Sequence, residues 1–371
     1  MKKKIVCIAN DCWKDSDEKW GLNLFKQNGY KVEIWRVGKI AQNFSVFEEI
    51  SFPLPNRIIK TWKEFYCCIL RQNINNTIFI YYGRDVSMNY SMALVKILGG
   101  KYCTIDFTSA NNTRSTIIIE KKVLQTKRHW MDYFMPTYSF LGSKHNLLTM
   151  NSKFQVENGN NIYLHTYDYD VYLKRKMEKK NLLLEENKQP YILFIDQNFF
   201  DHKDQKNANM KKWIPDEKQF IIEMQQFLDE IEKQFGLPII VSAHPVTCKT
   251  IYEIYGDRQI VYGNTCGYVE NAELVICSSS GAMGFAVMYK KPLLLYNNYQ
   301  LKRSFFYLEL QMPKARLLGA KIVNISKNVK NINLKEFVTE PAYEQYIEYV
   351  TSDENQTQLF MDVVLKYVNT L

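Results

Sequence analysis

Three features that would assign a chain to a well-known class are missing from this sequence. It has no apolar run near the ~18 residues of a membrane-spanning helix, no Cys-x-x-Cys pair and no glycine-rich loop of the P-loop type. Its five histidines and eight cysteines show no zinc-ligand spacing. These absences argue against a membrane span, a zinc site and a P-loop NTPase. They favour buried thiols in a reducing compartment.

Acidic residues are scarcer than basic ones, with 39 Asp and Glu against 48 Lys and Arg and a net charge of +9. This excess favours an anionic ligand, an anionic membrane surface or nucleic acid as the partner. The basic residues are spread along the chain, without a long basic run or a base-stacking motif. We therefore expect no nucleic-acid partner.

The first ten residues place three lysines before a short apolar run, which Asn10 and Asp11 end well before the length of a signal sequence. We interpret this run as a buried strand. A cytoplasmic protein is expected, and its basic surface would allow peripheral contact with the inner face of the cytoplasmic membrane.

The length of 371 residues favours two domains. Strand and helix patterns alternate from residue 4, and a second such series starts at Pro190. This alternation predicts parallel sheets covered by helices, with a ligand cleft between two halves. We expect an N-terminal domain at 1–180, a C-terminal domain at 181–340, and helices at 341–371 that pack back toward the first domain.

Ligands of open parallel sheets bind beyond the carboxyl ends of the strands. Polar residues follow several predicted strands at that position. They are Asp11, Asp85, Asp106, Asp196, His244, Ser278, Ser279 and Ser280.

The serines stand between an apolar run at 274–277 and a predicted helix at 282–289. A serine there would cap the helix, and Gly281 would let the backbone approach a ligand closely. Hydroxyls and unpaired N–H groups at such a corner suit a phosphate, although an ordinary helix cap is the alternative. His244 follows an earlier strand, and Pro245 fixes its turn. The pairing predicts that His244 and Ser279 hold one phosphate from two sides.

This pairing of His-Pro with a serine corner resembles the nucleotide-binding half of GT-B fold glycosyltransferases. In particular, it is similar to bacterial enzymes that use CMP-activated acidic sugars, the sialyltransferase and Kdo-transferase groups of capsule and lipopolysaccharide synthesis. Residues 191–204 also look like the opening strand and loop of that half. The resemblance covers about residues 190–300, and the first half only by architecture.

The resemblance implies an α/β fold of the GT-B class, with two Rossmann-like domains facing each other across a cleft. The first would bind the acceptor and the second the nucleotide sugar. It implies metal-independent transfer of a nonulosonic acid or Kdo from CMP to an oligosaccharide or lipid-linked glycan, without a cofactor. His244, Pro245, Ser278, Ser279, Ser280 and Gly281 would bind the nucleotide.

A base is also required to take the proton of the acceptor hydroxyl. The related families present a carboxylate motif in the first half, and residues 81–85 echo it only in the wrong order. Asp11, Asp85 and Asp106 are equal candidates, and a turn or capping aspartate is the alternative for each.

Further polar residues could line the cleft and touch the donor. Asp196, Gln197 and His202 follow the first strand of the second half, and Asn297 follows the strand after the serine helix. A charged surface loop is the alternative. Asp-x-Asp pairs occur at 15–17 and 168–170, but we interpret both as solvated surface and predict no metal site.

Other functions remain open. A CDP-alcohol phosphotransferase of the teichoic-acid type shares the His-Pro and Ser-Ser features, but generally has an acidic residue where Cys277 stands. Retaining UDP-sugar or GDP-sugar transferases of this fold usually carry a glutamate pair, and no acidic residue lies between Glu273 and Asn297. A sugar-nucleotide 2-epimerase would need several acidic residues. A non-catalytic nucleotide-binding or glycan-binding subunit is the alternative from another class.

Overall fold

The computed structural model describes residues 3–9, 16–41, 55–82, 88–107, 134–142, 160–179, 189–200, 216–244, 251–300, 311–340, 342–351 and 357–371. Contacts among them divide the chain into two units. The first unit contains the described residues of 3–107, 134–167 and 351–371, and the second contains those of 168–350.

The first unit is built on one sheet. Its strands are Lys4–Ala9 (β1), Lys31–Arg36 (β2), Asn56–Ile58 (β3), Thr77–Tyr82 (β4), Lys101–Asp106 (β5), Tyr138–Leu141 (β6) and Asn161–Tyr163 (β7). Their order is β3-β2-β1-β4-β5-β6-β7, and every neighbouring pair is parallel. The inner strands read as nearly continuous apolar runs because both faces of the sheet are covered.

Helices cover both faces of this sheet. They are Ser16–Lys19 (α1), Leu22–Gln27 (α2), Gly38–Ala41 (α3), Trp62–Leu70 (α4), Asn89–Ile97 (α5) and, much later in the chain, Phe360–Val368 (α13). One buried cluster includes Phe25 of α2 and Phe360 of α13. Another includes Phe65 of α4 and Met92 of α5. Helices α4 and α5 therefore share one face of the sheet, and α2 and α13 pack into the other core.

Gly21 separates the first two helices of this unit. The φ of Gly21 is 61°, in the left-handed region, which ends α1 and starts α2. A Cβ atom at this position would lie 2.8 Å from the terminal methyl of Met361 in α13. Glycine is thus required both by the backbone and by the close approach of α13.

The second unit has a sheet of the same kind. Its strands are Ile192–Ile195 (β8), Ile239–Ala243 (β9), Gln259–Tyr262 (β10), Leu274–Cys277 (β11), Leu293–Asn297 (β12), Ile322–Asn324 (β13) and Val338–Thr339 (β14). The parallel strands run in the order β10-β9-β8-β11-β12-β13, and β14 pairs with β12 in the antiparallel sense.

Seven helices belong to the described part of this second unit. They are Tyr167–Lys179 (α6, whose first residue is counted with the first unit), Glu217–Phe235 (α7), Ile251–Tyr255 (α8), Thr265–Asn271 (α9), Met283–Met288 (α10), Met312–Leu317 (α11) and Tyr343–Val350 (α12). The long α7 begins at Asp216, whose side chain accepts from the N–H of Gln219, and ends at Gly236 with φ 67°. Its buried face, including Phe227 and Ile231, packs into the core of the sheet.

Two parallel sheets with helices on their faces confirm the predicted α/β class. Of the terminal segment at 341–371, which was expected to pack back toward the first domain, α13 belongs to the first unit and α12 to the second. No helix among the described residues is both long enough and apolar enough to span a membrane.

Candidate functional site

Four neighbouring strands of the second sheet bring the predicted polar residues to one edge. The register pairs Ile195 of β8 with Ser242 of β9, and Cys277 of β11 with Leu295 of β12. Asp196, His244, Ser278 and Asn297 follow these strands or end them, so they line the carboxyl edge of β9-β8-β11-β12. Sequence reasoning placed these residues correctly at strand ends.

Asp196 is a structural anchor at this edge. Its Oδ1 accepts from the hydroxyl of Tyr255 at 2.7 Å and from the N–H of Asn198 at 3.0 Å. Its Oδ2 accepts from the N–H of His244 at 3.2 Å. The carboxylate therefore fixes the point at which His244 leaves β9. A donor-sugar contact by Asp196 stays a prediction.

Residues 278–281, called the serine turn below, connect β11 to α10. Gln197 Oε1 accepts from the N–H of Ser279 at 2.9 Å and so joins the end of β8 to the turn. Ser280 Oγ accepts from the N–H of Ala282 at 3.2 Å. The prediction that a serine caps the helix was wrong, because Ala282 is the N-cap residue and makes no side-chain cap bond. Ser280 instead accepts from the N–H of the N-cap residue, just after the turn.

Lys314 of α11 lies behind the serine turn. It is 4% exposed, and its Nζ donates to the carbonyl oxygens of Ser279 and Ser280 at 3.4 and 3.3 Å. In a trans peptide group the C=O and the N–H point in opposite directions. The carbonyl of Ser279 shares its peptide group with the N–H of Ser280, and that of Ser280 shares its group with the N–H of Gly281. Both N–H groups therefore point away from Lys314.

These two N–H groups have no hydrogen-bond partner among the described residues. The buried Oγ of Ser279 and the buried Oδ1 of Asn297 also lack a partner there. An unsatisfied buried polar group costs about 1–3 kcal/mol, which a ligand with matching groups would recover. A phosphate accepts from N–H groups and from a serine hydroxyl, so the turn has the donors that such an anion requires.

Gln311 connects the serine turn to the end of β12. It is 1% exposed, and its Nε2 donates to the carbonyl of Tyr296 at 2.7 Å and to Ser278 Oγ at 3.3 Å. Its Oε1 accepts from the amide of Asn297. The amide of Asn297 is thereby oriented, while its own Oδ1 stays available to a hydroxyl or amine of a ligand.

The charges around the turn have mixed signs. Burial lowers the pKa of the Lys314 ammonium, although Asp168 acts in the opposite direction. Burial raises the pKa of the Cys277 thiol to about 12, which keeps it neutral. The interpretation of Asp168 as solvated surface was wrong: it is half-buried, and its Oδ2 lies 3.3 Å from where a Cβ on Gly281 would stand.

The remaining candidates are distributed differently. Asp106 belongs to the first unit, where it is 2% exposed at the carboxyl end of β5. Asp11, Asp85, His202 and Pro245 lie outside the described residues. The described residues contain no group of three or more metal-ligating side chains placed to hold an ion.

Sequence reasoning missed Lys314, Gln311 and the position of Asp168. Pro313 signals a helix start, and the structure has it in the first turn of α11. No local pattern indicates that Lys314 is buried, however, because its burial arises from packing between α11 and the turn.

A cavity of about 640 Å³ opens at the other edge of the same sheet, near the amino ends of β8, β9 and β10. Arg258 lines it, and this guanidinium lies 2.6 Å from Asp229 and 2.7 Å from Glu232. Because this positive charge is already paired, the cavity offers an anionic ligand less than the serine turn does.

A parallel α/β sheet in each of two units is a feature of the GT-B class of folds. Solved structures of proteins with this fold are similar over nearly the whole chain. They include the UDP-GlcNAc 2-epimerase of Methanocaldococcus jannaschii in complex with UDP-GlcNAc and UDP, with a TM-score of 0.51 and 15% identity over 99% of this chain and 100% of that one.

The wall teichoic acid polymerase TagF has a TM-score of 0.53 and 13% identity over 99% of this chain and 90% of its own. The UDP-N-acetylglucosamine 2-epimerase of Rickettsia bellii has a TM-score of 0.50 and 15% identity over 100% and 97%. No protein-family model and no curated protein sequence matches the chain. At these identities the likeness shows the fold alone, and it confirms the predicted GT-B class.

Proposed function

We propose that this chain is a glycosyltransferase that binds the phosphate of a nucleotide-sugar donor at the serine turn. The observation that carries the proposal is the pair of N–H groups of Ser280 and Gly281, beside the hydroxyl of Ser279, none of which has a partner among the residues that the structure describes. Hydrogen-bond donors held in place before the reaction stabilise the charge that develops on a departing phosphate.

A CMP-linked acidic sugar is the proposed donor. The arrangement of His244 with Ser278, Ser279 and Ser280 supports it, because these residues carry the resemblance to CMP-sugar transferases and lie along one edge of the sheet. The net charge of +9 suits a donor that bears both a phosphate and a carboxylate.

The proposed base that accepts the proton of the acceptor hydroxyl is Asp11, Asp85 or Asp106. Removal of a general base typically lowers the rate about 100-fold or more. Asp11→Asn, Asp85→Asn and Asp106→Asn are each to be assayed for sugar transfer, with Asp257→Asn on the surface of the second unit as the control. We expect one of the three to lose activity. Full activity in all three would contradict the assignment, and nucleotide binding without transfer would support a non-catalytic subunit.

Proteins of the same fold suggest two other functions for this chain. The likeness to TagF favours a CDP-alcohol phosphotransferase, and the likeness to the epimerases favours a reaction on a UDP-sugar. The CDP-alcohol phosphotransferase ranks below the CMP-sugar transferase, because a neutral Cys277, and no carboxylate, precedes the serines.

A thermal-shift screen with CMP, CDP, UDP and GDP tests the donor. A ligand at 100 times its dissociation constant stabilises the native state by about 2.7 kcal/mol. We expect CMP to raise the melting temperature most. A rise with CDP alone would favour the phosphotransferase, a rise with UDP alone would favour a UDP-sugar reaction, and no rise with any nucleotide would overturn the proposal.

The lipid-linked acceptor is proposed to reach the first unit at an anionic membrane surface. Helices α4 and α5 expose Leu70, Tyr90 and Ile97 by 58%, 65% and 68%, on one face of the first sheet. Lys63 and the neighbouring Lys60 and Arg71 are exposed as well. Glu64 is the one acidic residue of the two helices, and its carboxylate accepts from the N–H of Lys60. Exposed apolar side chains together with exposed cations suit anionic headgroups.

Vesicle sedimentation tests this surface. The double variant Leu70→Glu/Ile97→Glu should lose binding to vesicles containing phosphatidylglycerol, and Lys63→Glu should weaken it. Ile222→Glu, which changes a side chain 51% exposed in the second unit, is the matched control. Equal binding by all variants would exclude this face. A dimer that dissociates only in the double variant would assign the face to a second copy of the chain instead.

A further inference from the structure

The positively charged side chain of Lys314 is buried beside the serine turn, and buried charges are normally paired. It is 4% exposed, and its contacts among the described residues are the two carbonyl oxygens of the serine turn, without an ion pair. Burial of an unpaired ammonium is costly. Asp168 acts on it only at longer range. The arrangement leaves positive charge next to the turn that an anion would compensate.

The same contacts control the geometry of the turn. Because Lys314 holds the carbonyls of Ser279 and Ser280 on one side, the N–H groups of Ser280 and Gly281 are kept on the other. Hydrogen bonds on a carbonyl also polarise its peptide group and strengthen the N–H as a donor. The ammonium of Lys314 therefore acts on a ligand indirectly, by orienting and polarising two peptide groups whose N–H groups contact the ligand.

We infer that Lys314 is a positioning residue that makes the serine turn select the more highly charged phosphate. This inference rests on the proposed function. In the transfer, the bond between the anomeric carbon and the phosphate oxygen breaks, and its electron pair stays on that oxygen. The acceptor oxygen forms the new bond and gives its proton to the base. The phosphate changes from one negative charge to two, so a fixed positive charge favours bond breaking over donor binding.

The test compares Lys314→Met, which keeps an unbranched side chain one atom shorter and removes its charge, with Lys321→Met on the exposed surface of the same unit. Calorimetric titrations use CMP and its uncharged nucleoside, cytidine. We expect Lys314→Met to bind CMP at least tenfold more weakly and cytidine unchanged, and Lys321→Met to bind both as the wild type does. A loss of equal size for CMP and cytidine would indicate a merely structural role and overturn the inference.

A second measurement needs no variant. The phosphate of free CMP takes up its second proton with a pKa of about 6. In the complex with the wild-type chain, phosphorus NMR should give a lower pKa, because the turn favours the dianion. An unchanged or raised pKa would overturn the inference.

The binding data separate the failure of this inference from that of the proposed function. If the wild type bound no CMP at all, both would fail. If wild type and Lys314→Met bound CMP equally, only the role of Lys314 would fail.

Discussion

The carboxyl edges of the two sheets carry different kinds of side chain. In the second unit, amides, serines and a lysine surround the ends of β8, β11 and β12, and several of their polar atoms have no partner in the described part of the chain. In the first unit, aromatic rings dominate. Trp20 stacks on Tyr82 with a centroid distance of 4.8 Å, and Phe107 packs on Phe360 at 4.5 Å.

Polar groups at the aromatic edge are used internally. The hydroxyl of Tyr82 donates to the carbonyl of Trp20 at 2.7 Å, and the ammonium of Lys19 lies 4.6 Å from the ring centre of Tyr167. Such contacts rigidify this edge. The comparison teaches that two similar parallel sheets can carry different groups at their carboxyl edges: serines, amides and a lysine in the second unit, and stacked rings beside the buried Asp106 in the first.

The largest expected effect comes from breaking the polar edge at its centre. Gln311→Leu leaves the carbonyl of Tyr296, the hydroxyl of Ser278 and the amide of Asn297 without their bonds to residue 311. We expect a loss of about 2–4 kcal/mol in the free energy of unfolding, measured by urea titration with circular dichroism. Gln219→Leu, on the exposed face of α7, should change it by less than about 0.5 kcal/mol. Equal effects would show that the edge is not a connected network.

Removal of one hydroxyl from each edge sharpens the comparison. Tyr82→Phe loses a satisfied hydrogen bond and should cost about 1 kcal/mol of unfolding free energy while leaving CMP affinity unchanged. Ser279→Ala removes an oxygen that has no partner among the described residues, so stability should stay the same or rise by up to about 1 kcal/mol, while CMP binds about tenfold more weakly. A stability loss in Ser279→Ala, measured by the same urea titration, would contradict the assignment.

The smallest expected effect is a pH dependence. Burial lowers the pKa of Lys314 from its ordinary 10.5, so the native state releases the proton at a lower pH than the unfolded state does. Between those two values the unfolded state binds more protons, and stability rises with pH. As the pH rises toward 10.5, the unfolding free energy of the wild type should therefore increase relative to that of Lys314→Met. A constant difference across this range would exclude a lowered pKa.

Much of the fold follows from the sequence because buried parallel strands are short apolar runs. The runs at 4–9, 77–82, 192–195 and 274–277 became strands, and the polar residues after them reached one edge of each sheet. The requirement for glycine at position 21 does not follow from the local sequence alone, because part of it comes from Met361, a residue distant in sequence.

The candidate site was predictable only in part, for a similar reason. The serines and His244 stand at strand ends, which local patterns reveal. Lys314 and Gln311 act through burial against the serine turn, and Asp168 through its approach to Gly281, so each depends on packing between distant segments. Charged residues in a polar stretch look solvated until such packing is known.

The contribution of α13 to the core of the first unit affects how the protein is made. Phe360 and Val364 are fully buried with Ile5 of β1, although the whole second unit separates them along the chain. During translation, the second unit has all its residues before the first has its full core. We therefore expect the second unit to fold first on the ribosome, while the nascent first unit holds an open apolar face that depends on chaperones until α13 emerges.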